Sequence, residues 1–216
     1  FGALSGFFDI ILADVPCSGE GMFRKDEVAQ DQWSEDNVAL CEARQRRILA
    51  DVWPALATGG VLIYSTCTFN RLENDDNVEW IAEELGAEPV KPEGDGMPGV
   101  IVTRNGYSLV PGHVEGEGQY CAALRKTSPV EFRGCEPARQ KREKPGKKSV
   151  QTVPAGVGRL FSVPVEFRQK GETVIAVPSL IAAQVACLES SLHVLAAGCA
   201  AGMLKGPALV PDADLA

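Results

Sequence analysis

The sequence predicts an α/β fold built on a parallel sheet, and three observations carry that expectation. Two short apolar runs, residues 7–13 and 61–65, have the length and aliphatic content of strands buried on both faces. Between them Val38, Cys41, Ile48, Leu49, Val52 and Leu56 recur at helical spacing. Strand, helix and strand in that order form a βαβ unit, whose crossover is right-handed in almost every known case.

Each element has local reasons. The first run stops at Asp14-Val15-Pro16, because Pro16 lacks a backbone donor and biases its predecessor away from helix. A polar loop with Gly19 and Gly21 follows. Ser34 is an N-cap for a helix to about residue 56, with Glu35 and Asp36 placed to complement its dipole. Pro54 shortens the last turn, and Gly59-Gly60 end the helix. The second strand gives way to Thr66-Cys67-Thr68. A helix over 73–85 carries Val78, Ile81 and Leu85 on one face. Shorter strands are expected at 100–103, 107–110 and 119–124, the first two joined by an Asn105-Gly106 hairpin signal.

The pattern then changes. Residues 133–148 hold Arg133, Arg139, Lys141, Arg142, Lys144, Lys147 and Lys148 against Glu136 and Glu143, a local charge of +5 with no hydrophobic period. We read a first domain over 1–127, a basic flexible linker over 128–151 and a second domain over 152–216. In the second domain 159–165 and 172–177 are strand-like and 179–197 is helical, while 205–216 has no evident partner. With 216 residues, 45% of them hydrophobic and 23% charged, a wholly disordered chain is excluded. A net charge of −8 excludes a protein that holds nucleic acid by bulk positive charge, but not a local basic patch. Seven cysteines without a C-x-x-C pair read as reduced thiols in a cytosolic setting. Gln184, Glu189 and His193 interrupt the most apolar late stretch, so no membrane span is expected. Neither His113 nor His193 has metal-ligand spacing, so no metal is expected.

Two cysteines stand just beyond the carboxyl ends of the two apolar strands. Cys17 lies three residues after Asp14, and Cys67 two after Ser65. Ligands of open α/β sheets bind in the crevice at those strand ends. Neighbouring strands are about 4.8 Å apart, so both thiols can reach one pocket. Either cysteine alone is better read as a small, buried, inert residue; it is the pairing, with Asp14 and Pro16 beside one thiol, that points to chemistry. Arg24, Lys25 and Arg71 are candidates for lowering a thiol pKa or holding phosphates, against the plainer reading of solvated loop charges. Phe69 could stack on a base or pack in the core. A thiol-based redox pair and a non-catalytic binding module both stay open at this point.

Residues 14–25, Asp-Val-Pro-Cys-Ser-Gly-Glu-Gly-Met-Phe-Arg-Lys, and 64–70, Tyr-Ser-Thr-Cys-Thr-Phe-Asn, resemble motifs four and six of the Nol/Nop/Sun family of RNA cytosine-5 methyltransferases. Pro111-Gly112-His113 and Gly116-Glu117-Gly118-Gln119-Tyr120 are similar to a later segment of that family, with Gly112 interrupting the usual Pro-His pair. Val15 stands where the family more often has Ala. The resemblance implies a partial Rossmann-like methyltransferase sheet that uses S-adenosylmethionine, followed by the start of a small α+β, PUA-like RNA-binding domain. It makes Cys67 the nucleophile and Cys17 the residue that assists release of the product. It implies that Asp14, with Pro16 beside it, holds the cofactor and the base edge, while Arg24, Lys25, Phe69 and Arg71 stay RNA-binding candidates from their residue types alone. The implied substrate is small-subunit rRNA, with tRNA as the alternative, in a cytoplasmic enzyme without metal. The triplets at 19–21, 94–96 and 116–118 do not form a glycine-rich turn opening a helix after a strand. The resemblance therefore puts the cofactor-gripping motif upstream of Phe1 and makes this chain the carboxyl-side half of the catalytic domain.

Overall fold

The computed structural model describes residues 1–2, 4–90, 97–132, 153, 156–206 and 208–213. The chain divides into two compact units, Phe1–Gly134 and Cys135–Ala216.

The first unit runs β1 (Phe8–Asp14), α1 (Glu27–Gln32), α2 (Glu35–Val52), β2 (Leu56–Thr66), α3 (Asp75–Leu85), β3 (Ala87–Val90), β4 (Val100–Val102), β5 (Tyr107–Leu109) and β6 (Gln119–Lys126). These strands form one mixed sheet in the order β1-β2-β6-β5-β4, with β3 pairing β6 beside β5. β1 and β2 are parallel, and the other pairings are antiparallel.

Helix α2 begins where Ser34 Oγ accepts the Asn37 N–H at 3.1 Å. Val38, Cys41, Gln45 and Leu49 form its buried stripe. The helix ends at Val52 rather than residue 56, and Pro54 lies in the single 3-10 turn Trp53–Ala55 that follows. β2 then starts five residues earlier than expected. Gly59-Gly60 do not stop a helix but form a bulge, because Phe8 pairs Leu56 while Ile10 pairs Val61. A Cβ at Gly60 would sit 2.9 Å from the Asp9 carbonyl oxygen, so this detour needs glycine. α1 and β3 were not anticipated.

The core gathers Leu49 from α2, Trp53 from the turn, Leu62 and Tyr64 from β2, Val78 and Ile81 from α3, and Tyr120 and Leu124 from β6. β1 departs from the expected burial on both faces. Among the described residues it has one strand neighbour, and Ile10 and Leu12 are 64% and 68% exposed.

The second unit contains β7 (Val165–Lys170), β8 (Thr173–Pro178), α4 (Ala182–Ser191), β9 (Cys199–Lys205) and β10 (Ala208–Pro211). Its antiparallel sheet has the order β10-β9-β8-β7 around Val174, Ala176, Ala201 and Leu204. Residues 159–165 are not a strand until Val165, and the helix is shorter than 179–197. The expectation that 205–216 lacks a partner is overturned: β10 pairs β9, and Gly206, at φ +60, begins the turn between them.

Ser128–Phe132, read from sequence as linker, are tied to the first unit. Val130 N–H donates to Thr58 Oγ1 at 2.9 Å, and the Phe132 ring stacks on Phe7. The rest of the basic segment, 133–151, and the triplet at 94–96 lie outside the described residues. Cys17, Cys41, Cys67, Cys121 and Cys199 are free. No helix among the described residues is long and apolar enough to cross a membrane.

Candidate active site

β1 and β2 end level with one another. Asp14 and Ser65 are register partners, Ser65 Oγ donates to Asp14 Oδ1 at 2.7 Å, and Val15 N–H donates to the Ser65 carbonyl at 3.1 Å. The loops that leave these ends carry Cys17 and Cys67, and the two sulfurs are 3.0 Å apart. The Cys67 N–H also donates to Cys17 Sγ at 3.3 Å. One more contact locks the loops together: Gly21 N–H donates to the Cys67 carbonyl at 2.8 Å. A Cβ at Gly21 would stand 2.8 Å from that same oxygen, so the approach requires glycine.

At this separation either sulfur can donate its S–H to the other, so the two thiols titrate as a pair. The Cys17 S–H bond to Cys67 is the largest influence on Cys67 and lowers it from 9.0 to about 7, against burial and the carboxylates of Asp14 and Glu73. The same bond, together with burial, drives Cys17 far above the thiol range. Burial raises Cys41 and Cys121 as well. Cys67 is thus the thiol whose environment favours the reactive, deprotonated form near neutrality.

Beneath the sulfurs is a buried polar cluster that composition and spacing did not reveal. Glu73 is fully buried. Its carboxylate accepts the Ser18 N–H at 2.9 Å, Gln45 Nε2 at 2.7 Å and Asn70 Nδ2 at 2.7 Å. Gln45 Nε2 also reaches the Pro16 carbonyl at 3.0 Å, so Cys17 is held through both of its chain neighbours. On the other loop, Asn70 Nδ2 donates to Thr68 Oγ1 at 3.0 Å, and Thr68 Oγ1 lies 2.9 Å from Ser18 Oγ. Gln45 Oε1 accepts from Asn77 Nδ2 at 2.7 Å and from the Tyr64 hydroxyl at 3.1 Å. Two sequence signals could have found it. Gln45 is a polar residue on an otherwise apolar helical stripe, and Asn70-x-x-Glu73 has helix-capping spacing, with Asn70 Oδ1 accepting the Glu73 N–H at 2.9 Å.

The remaining candidates are distributed around the pair. Asp14 and Pro16 are exposed and border a hollow of about 460 Å³ lined also by Ile10, Leu12, Ile48 and Val52. Gln119 Nε2 adds a 3.3 Å bond to Asp14 Oδ1. Arg24 and Lys25 are exposed and engaged with the 114–118 loop, Arg24 with the Gly116 carbonyl at 3.4 Å and Lys25 in an ion pair with Glu117. Arg71 is paired with Asp76 at 2.6 Å. Phe69 lies against Gly118, whose added Cβ would fall 2.3 Å from the ring, and its N–H donates to Glu20 at 2.8 Å. Among the described residues no group of three or more His, Cys, Asp or Glu side chains is arranged to hold a metal ion.

Residues 2–125 match the family model described as 16S rRNA methyltransferase RsmB/F. The chain is 42% identical over 140 residues to ribosomal RNA small subunit methyltransferase F of Cronobacter sakazakii, covering 61% of this chain and 28% of that protein. It is 43% identical over 131 residues to the same-named protein of Serratia proteamaculans, covering 58% and 27%. The chain therefore spans little more than a quarter of the length of these curated relatives. The crystal structure of PH0851 superposes with a TM-score of 0.50 at 23% identity, covering 56% of this chain and 27% of that one, a likeness of fold.

Proposed function

The chain belongs to the 16S rRNA methyltransferase RsmB/F family, and from that premise we propose that its site takes part in S-adenosylmethionine-dependent methylation of carbon 5 of a cytosine in small-subunit rRNA. The observation that carries this reading is the pair of thiols 3.0 Å apart at the ends of two parallel strands.

Carbon 5 of cytosine is a weak nucleophile. The Cys67 thiolate adds to carbon 6, and the ring electron pair moves to carbon 5. When bound, S-adenosylmethionine supplies an electrophilic methyl group to the carbon so activated. Once Cys67 is spent in the bond to carbon 6, its charge no longer holds the Cys17 proton in place. Cys17 then loses that proton to solvent and accepts the proton of carbon 5 as the carbon 5–carbon 6 double bond reforms and the Cys67–carbon 6 bond breaks. The departing Cys67 sulfur leaves as a thiolate bonded by the restored Cys17 S–H, which is the starting arrangement. One proton is released per turnover.

Asp14 and Pro16 are suited to the cofactor because an exposed carboxylate beside an apolar hollow can meet both a cationic group and an apolar one. Arg24, Lys25 and Arg71 lie on exposed loops where phosphates can reach them, and Phe69 is the base-stacking candidate. The target cytosine must be unstacked to admit a sulfur to its face. The relatives named for the small ribosomal subunit favour rRNA over tRNA. In a protein extended to the length of those relatives, nucleoside mass spectrometry of rRNA should detect 5-methylcytidine with the parent and none with Cys67→Ala. Undiminished 5-methylcytidine with Cys67→Ala overturns the proposal.

A further inference from the structure

We propose that Glu73 is a positioning residue whose buried carboxylate clamps the loop of Cys17 to the loop of Cys67 and so sets the hydrogen bond between the two sulfurs. The inference deepens the functional reading above and rests on it for its biological meaning, but the contacts that support it stand independently.

Glu73 is wholly enclosed, and the three groups bonded to its carboxylate are all N–H donors. A carboxylate accepts at both oxygens, which is what three convergent donors require. The donors come from three places. Ser18 follows Cys17 directly, Gln45 belongs to α2 and also holds Pro16, and Asn70 belongs to the loop of Cys67. Without this acceptor, the buried Ser18 N–H beside Cys17 loses its partner, which is unfavourable, and the Gln45 and Asn70 amides keep their bonds to Pro16 and Thr68, so nothing ties the two loops and α2 through one group. The loops would relax apart to find other partners. The bond from Cys17 to Cys67 would lengthen with them.

The groups facing Cys67 give this idea a sign. Cys17 lowers its pKa, while Asp14 from β1 and Glu73 itself raise it. If Glu73 acted only as a nearby charge, neutralising it would lower the Cys67 pKa. If it acts as the clamp, neutralising it loosens the larger effect of Cys17, and the pKa rises. Glu73→Gln keeps the size of the side chain but presents an amide N–H to one set of donors, so the clamp opens on that side. Asn70→Ala leaves the carboxylate in place and cuts its link to the Cys67 loop, together with the Asn70 bonds to Thr68 and to the Glu73 N–H.

The test is the pH dependence of iodoacetamide alkylation at Cys67, followed by peptide mass spectrometry, on this chain without RNA or cofactor. The parent should show a midpoint of about 7. Glu73→Gln and Asn70→Ala should each move it up by about one pH unit, an approximately tenfold slower reaction at pH 6 where thiolate is limiting. Leu124→Ala, a core truncation remote from the cluster, should lower the melting temperature yet keep the midpoint. If Glu73→Gln fails to fold, Asn70→Ala decides alone. An unchanged or lower midpoint in the folded variants overturns the clamp, and so does an equal upward shift in Leu124→Ala. A parent midpoint near 7 with raised variants, in a protein that never methylates RNA, would keep the clamp and discard the methyltransferase reading.

Discussion

A thiolate at neutral pH normally needs a cation or a helix N-terminus nearby. Here the leading influence on Cys67 is a second thiol, the Cys17 S–H. The folded-state pKa of Cys67 lies below its ordinary 9.0, so its reactive form is favoured above about pH 7 and lost as pH falls through that value. Alkylation of Cys67 should rise about tenfold per pH unit below 7 and level off above it. Cys17→Ala removes the donor and should move the midpoint up toward 9.0; a midpoint that stays near 7 would contradict the shared-proton account. At this scale the sequence was informative about the cysteines and silent about their support. Cys17 and Cys67 follow Asp14 and Ser65 by three and two residues, so the strand rule alone brought them together. Glu73 carried only its capping spacing from Asn70, because a carboxylate in a polar loop reads as solvated until the fold encloses it with Ser18, Gln45 and Asn70.

The elements that aim the site are held by ordinary forces. Ser34→Ala removes the cap of α2 and should cost about 1 kcal/mol in urea denaturation. Leu49→Ala opens a cavity where α2 meets the sheet and should cost about 2–5 kcal/mol by the same measurement. Gly21→Ala should have a larger effect on Cys67 than on stability, since its methyl group would press on the Cys67 carbonyl and part the loops. Equal rates of Cys67 alkylation in Gly21→Ala and the parent would contradict that reading. β1, α2 and β2 were legible because a long amphipathic helix between two apolar runs has few alternatives. β3, β9 and β10 were not, for a physical reason: four to seven residues of mixed character become strands only when a neighbouring edge offers hydrogen bonds. Ala87–Val90 finds β6, and Ala208–Pro211 finds β9. Gly59-Gly60 misled in a similar way, since a glycine pair marks a helix end and a bulge alike, and only the pairing with β1 decides between them.

For the whole molecule, the free edge of β1 matters most. Parallel strands are normally covered on both sides, yet Ile10 and Leu12 face outward and the hollow beside Asp14 opens along that edge. Titration calorimetry of this chain alone should therefore give no micromolar heat signal with S-adenosylmethionine; a micromolar signal would mean that Asp14 and its surroundings form a complete cofactor site by themselves. Seen across the first unit, the two thiols of the proposed chemistry stand at one end of one parallel strand pair. The most direct test of that two-thiol chemistry is a denaturing gel of rRNA fragments incubated with S-adenosylmethionine and a protein extended to the length of its relatives. Cys17→Ser should retain a slowly migrating covalent RNA adduct, and Cys67→Ala should form none. An adduct with Cys67→Ala and none with Cys17→Ser would contradict the account.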